Sequence, residues 1–166
     1  MTRSQTLIIC SGGQTGADRA ALDVALARGL GVDGWCPRGR WAEDGVIPVR
    51  YPLRETATAD PAERTRANVR DTDATLALTL GASDAGTDAT IAAARAAGKP
   101  HLVVDVRAAH AAEEAGAWFR GARPRRLNVA GPRESHAPGL QEEAKRFLED
   151  FLRHVGVDDD LGETGR

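Results

Sequence analysis

Cysteine, lysine and aromatic residues are scarce in this chain. Cys10 and Cys36 are the only cysteines in 166 residues. They have no C-x-x-C spacing, which excludes a disulfide framework and a cysteine zinc site. The four histidines, His101, His110, His136 and His154, fall at no metal-ligand spacing, so no metal site is expected. No apolar run approaches the roughly 18 residues that cross a bilayer. The apolar stretch Leu7 to Cys10 is too short for a secretory signal, so a cytoplasmic protein without membrane contact is expected. Only two of the 22 cationic side chains are lysine, and the net charge is −2. That balance speaks against an obligate nucleic-acid binder. Arginine, with its planar fork, suits phosphate or carboxylate ligands. Aromatics make up 4%, leaving Trp35, Trp41 and Tyr51 as candidates to stack on a heterocycle or fill the core.

What is present is an alternation of apolar strands and amphipathic helices. Strands are expected over 6–10, 32–35, 74–79, 101–106 and 127–130. Helices are expected over 17–30, from Asp60-Pro61-Ala62-Glu63 onward, and over 87–97, 108–119 and 138–155. The last has the clearest period, with Leu140, Ala144, Phe147, Leu148, Phe151, Leu152 and Val155 on one face. The fold class expected is α/β, a Rossmann-like, doubly wound, mostly parallel sheet in three α/β/α layers. One ligand-binding domain is expected over 1–155, with a flexible acidic tail over 156–166.

In such sheets ligands bind beyond the carboxyl ends of the strands. Four segments follow strands: 11–16, 36–45, 81–90 and 131–135. Three combine glycine with a helix start, an arrangement that suits anions because free N–H groups and the helix dipole converge there. The candidate ligand or phosphate residues are Gly12, Gly13, Gln14, Thr15, Gly16, Arg19, Arg38, Arg40, Gly86, Thr87, Thr90, Gly131, Arg133, Glu134 and Ser135. Glu43, Asp44 and Glu134 are the carboxylates considered for acid–base work, while Asp18 reads as a dipole partner. Asp71 and Asp73 precede a strand and read as structural, and the basic run 120–126 as a solvated connection. A Gly13→Asp variant is expected to fold and to lose the ligand. No nucleophile elbow of the G-x-S-x-G kind is present.

The stretches SGGQTGADRAALD (11–23), GWCPRGRWAEDG (34–45), YPLRET (51–56), NVRDTDAT (68–75), GTDAT (86–90) and LNVAGPRES (127–135) resemble the molybdenum carrier (molybdenum cofactor carrier-like) family. That family is a branch of the Rossmann-like superfamily that includes the Lonely Guy phosphoribohydrolases. The resemblance implies a cytoplasmic, oligomeric binding protein, a carrier or sensor, for molybdenum cofactor (molybdopterin) or a nucleotide. It also implies an alternative, a nucleotide-processing hydrolase. The Lonely Guy loop P-G-G-x-G-T-x-x-E ends in a catalytic glutamate. Here only Gly86 and Thr87 of that loop are kept and Thr90 stands at the glutamate position, so a hydrolase would need another carboxylate.

Overall fold

The computed structural model describes residues 6–157. Five strands, β1 (Ile8–Cys10), β2 (Gly31–Asp33), β7 (Ala74–Thr79), β8 (His101–Asp105) and β9 (Arg126–Ala130), form one sheet in the order β2-β1-β9-β7-β8. All four neighbouring pairs are parallel, as the expected class requires. Helices α1 (Ala17–Ala27), α4 (Ala111–Ala122) and α5 (Leu140–His154) cover one face, and α2 (Pro61–Arg70) and α3 (Ala85–Ala96) cover the other.

The two faces differ in chemistry. The main core gathers Leu7, Ile9, Leu76, Leu78, Leu127 and Val129 from the sheet against α1, α4 and α5. The apolar stripe of α5 predicted by its period is buried there, with Phe119 and Phe151 edge to face at 5.6 Å. No residue of α2 or α3 belongs to that core among the described residues. Because side chains alternate along a strand, the opposite face carries Cys10, Thr75, Ala77, Thr79 and Asn128. The layer under α2 and α3 is therefore small and polar.

Several boundaries differ from expectation for local reasons. The strand expected over 32–35 is broken by Gly34, whose φ is 136° and where a Cβ would lie 2.1 Å from the Ser11 carbonyl oxygen. The segment expected as a polar loop after it forms short strands: β3 (Trp35–Cys36) pairs with β6 (Arg54–Glu55), and β4 (Trp41–Ala42) with β5 (Gly45–Val46). Together with Leu22, the residues Cys36, Ala42, Ile47, Tyr51 and Leu53 make a second small core there. Helix α1 stops at Ala27 because Gly29 turns left-handed and Leu30 N–H returns to the Ala25 carbonyl. Asp60 caps α2 as its sequence indicates, accepting from Ala62 N–H at 2.9 Å. At the other end Lys99 Nζ donates to the carbonyls of Val69, Arg70 and Thr72. Of the expected acidic tail, Gly156 and Val157 close α5, while residues 158–166 lie outside the described residues.

Candidate functional site

The strand order locates a crevice. After β1 and β9 the chain turns to α1 and α5 on one face, and after β7 to α3 on the other. The connections diverge between β9 and β7, which is where open α/β sheets bind ligands. A cleft of about 320 Å³ lies on the α2–α3 side. Its walls are the first turns of those helices, its floor is Gly12 with Asn128, Val129 and Ala130, and Arg133 borders it.

Two arginines and one buried carboxylate supply its electrostatics. Arg64, on α2, donates to the Gly12 carbonyl at 3.1 Å and stands 3.6 Å from Asp18. Asp18 is buried and accepts from Gln14 N–H at 3.2 Å. Burial pushes its carboxyl above the ordinary range, against the opposing pull of Arg64. Arg133 is different: no hydrogen bond or ion pair engages its guanidinium among the described residues.

Of the residues singled out in the sequence, Gly12, Gly86, Thr90 and Arg133 line this cleft. Most of the others hold the loops in place. The Gln14 side chain accepts from the N–H groups of Thr15 and Glu43, at 3.0 and 2.9 Å. Glu43 binds the hydroxyl of Thr15 as well as Ser135, whose hydroxyl and N–H donate to it at 2.5 and 3.1 Å. What burial Glu43 has works against its charge, yet the bonds from Ser135 and Thr15 prevail and hold the carboxyl below its ordinary value. Glu134 accepts from Gly139 and Gln141 N–H, so this carboxylate already fills the anion position at the start of α5. Gln141 in turn accepts from Gly16 N–H at 3.1 Å.

The arginines divide in the same way. Arg19 is buried, donates to the Gly13 carbonyl and forks onto Asp44 at 3.0 and 3.1 Å. Arg40 spends its donors on the carbonyls of Ile47, Pro48, Tyr51 and Leu53. Arg38 is exposed and outside the cleft. The glycines at 16 and 131 serve close backbone approach. A Cβ on Gly16 would lie 2.4 Å from the Pro132 oxygen, and one on Gly131 2.2 Å from the Leu78 oxygen. Gly13 faces Leu53 and Ile47 of the small core rather than the cleft. Thr87 is bound to Asp84, the N-cap of α3. Asp84 also meets His136 at 2.8 Å, tying the loop after β9 to α3. Partial burial opposes the Asp84 charge, but Thr87 and His136 outweigh it and hold its carboxyl low.

The aromatics are used structurally. Tyr51 is buried with its hydroxyl on Asp23, Trp35 lies under Arg54 and donates to Asp71, and Trp41 is half exposed on β4. Asp71 is held low chiefly by its bond from Arg70, and Asp73 accepts from the N–H groups of Arg125 and Arg126. Both are structural, as their place before β7 suggests. Sequence reasoning missed Arg64 and Asn128 in the cleft and gave Asp18 only a dipole role. The signal for Asp18 is its place one turn past the glycine loop. Nothing local announces Arg64 or Asn128.

Read in chain order, the sheet is 2-1-5-3-4. Starting the count at β9 instead makes it 3-2-1-4-5, the standard dinucleotide-fold order, so the chain is that fold with its first strand and helix moved to the end. The family model of the circularly permutated YpsA SLOG family matches residues 9–152. The chain belongs to this family. It is also similar to a crystal structure named Putative molybdenum carrier protein from Syntrophus aciditrophicus SB. The two are 38% identical with a TM-score of 0.84, over 89% of this chain and 96% of that one. No curated protein matches significantly. The strand order accounts for the cleft's position. Among the described residues no helix is long and apolar enough to cross a membrane, and no cluster of His, Cys, Asp and Glu is placed to hold a metal ion.

Proposed function

We propose that this protein binds a phosphorylated heterocyclic small molecule, as a carrier or sensor, with molybdenum cofactor or a nucleotide as the ligand. The observation that carries this reading is Arg133, whose guanidinium makes no hydrogen bond or ion pair among the described residues and feels only the more distant charge of Glu43, beside a cleft at the switch point. The name of the structural relative, a molybdenum carrier, supports a ligand that contains molybdenum. The cleft fits such a group in one respect and limits it in another. Arg133 would hold the phosphate, because the start of α3 is already taken by the Asp84 carboxylate, and the volume of about 320 Å³ suits a nucleoside-monophosphate-sized molecule. No cysteine or histidine lines the cleft, so a molybdenum atom would arrive as cargo held by the ligand's own atoms. The test is calorimetry and native mass spectrometry of the native chain and Arg133→Ala with nucleoside monophosphates, a pterin phosphate and molybdate. Stoichiometric binding of a phosphorylated heterocycle, weakened in Arg133→Ala, supports the reading. Binding indifferent to Arg133 removes it.

One observation favours a second reading, hydrolysis of a nucleotide at its glycosidic or phosphate bond. Glu43, Asp44 and Glu134 are committed to Thr15 and Ser135, to Arg19 and to the start of α5. Asp18, by contrast, lines the cleft, with a carboxyl pushed up by burial. A carboxyl raised by burial in a cleft is where an acid–base group is looked for, although Arg64 beside it favours the charged form.

A further inference from the structure

We propose that Asn128 reads the heterocycle, its carboxamide oxygen accepting a hydrogen bond from an amino or ring N–H group on the ligand's edge. The inference rests on the binding role above and narrows the ligand class. Asn128 sits in β9 at the middle of the sheet, level with Cys10 on one side and Thr75 on the other. It is only 2% exposed. A carboxamide there costs desolvation that an apolar residue would not, and every other core position of β9 is apolar. Its Nδ2 donates to Thr75 Oγ1 at 3.2 Å. Its Oδ1 receives no donor from any described residue. Yet among the described residues no side-chain nitrogen or oxygen that is sealed from solvent lacks a partner. The two facts together leave this oxygen open to the cleft whose floor Asn128 forms.

Apart from Arg133 and the Thr65 hydroxyl, the other polar side chains of the cleft are engaged. Asn68 is held at both ends by Trp35, its Oδ1 accepting from the N–H at 2.8 Å and its Nδ2 donating to the carbonyl at 2.9 Å. The Thr90 hydroxyl donates to the Gly86 carbonyl at 3.0 Å, and Arg64 is shared between Gly12 and Asp18. The amide acceptor left for a ligand is Asn128, and the cation left is Arg133. Complementarity then calls for an anion and an N–H donor on the same ligand. An aminopurine nucleotide or a pterin phosphate has both on a planar ring; free molybdate has no N–H edge, and a sugar phosphate offers only hydroxyl donors on a non-planar ring. The wall that α3 presents, Ala85, Gly86 and Ala89, is made of small side chains that leave room for a planar ring.

The experiment compares ligands that differ only in that edge. Affinities of the native protein are measured for adenosine monophosphate against purine riboside 5′-monophosphate. A pterin phosphate is likewise measured against its 2-deamino analogue, with inorganic phosphate as the edge-free probe. The amino member of whichever pair binds is expected to be tighter by about tenfold, the worth of one net hydrogen bond. In Asn128→Leu the preference is expected to vanish while phosphate affinity stays. Equal affinities in the native protein, or a preference kept in Asn128→Leu, overturn the proposal. If the variant does not fold, the native ligand pairs decide alone. Binding of phosphate without either heterocycle overturns the role of Asn128 but leaves the anion site standing. No binding of any probe removes both.

Discussion

Replacing Glu43 separates a structural clamp from a catalytic group. Its carboxylate receives three hydrogen bonds, from the Thr15 hydroxyl and from the hydroxyl and N–H of Ser135, and so joins the glycine loop to the loop after β9. Bonds to a charged acceptor are worth about 1.5–3 kcal/mol each when buried. Glu43 is only partly buried, so water replaces much of what is lost and the total for Glu43→Ala comes to about 2 kcal/mol. In a chain of this length that lowers Tm by about 4–8 °C, with Glu43→Gln causing about half the fall. The direction with pH follows from its lowered carboxyl. Such a group adds stability above its unfolded value and loses it as pH falls through the folded one. Thermal unfolding of native and variant protein should therefore differ most at pH 7 and converge as the solution is acidified below pH ~4. A variant as stable as the native protein, or a gap that persists unchanged in acid, refutes the clamp.

Gly13→Asp should fail as a fold rather than lose ligand selectively. Gly13 has φ 79°, and a Cβ there meets Leu53 and Ile47 at 2.7 and 2.9 Å, so backbone strain and a charge on an apolar cluster together cost about 3 kcal/mol or more. Circular dichroism and thermal melts of the purified variant check this, and a native-like melt contradicts it. Under the hydrolase reading, Asp18→Asn should abolish product formation while leaving ligand binding in place. Turnover that survives this substitution takes Asp18 out of the chemistry.

The fold was legible because its signals are local. The alternation of apolar strands with capped helices, the Asp60-Pro61 start of α2 and the stripe of α5 each act within a few residues. The short strands of 35–55 were not legible. Two-residue strands such as β3 and β6 have no period, and they exist because Leu22, Ile47, Tyr51 and Leu53 close a small core around them. The same divide runs through the site. That glycine loops would sit at strand ends was readable, and Gly12, Gly86, Thr90 and Arg133 do line the cleft. Which polar side chains face a ligand was not, because Arg19, Arg40, Glu134 and Ser135 find partners 5 to 92 residues away that spacing does not reveal. Arg64 reaches Gly12 across 52 residues for the same reason. Arginine at a glycine turn is as apt to bind the turn's own carbonyls as a phosphate. The count of unmet donors separates the two uses, and that count needs the fold.

The central claim is that Arg133 is held in readiness for the anionic end of a ligand. Titrating the phosphorylated ligand that native mass spectrometry selects into native protein and Arg133→Ala tests it most directly. The predicted result is an affinity lower by about 10- to 100-fold, the loss of one charge-assisted hydrogen-bonding group, with an unchanged Tm in the absence of ligand. An affinity untouched by the substitution would contradict the claim.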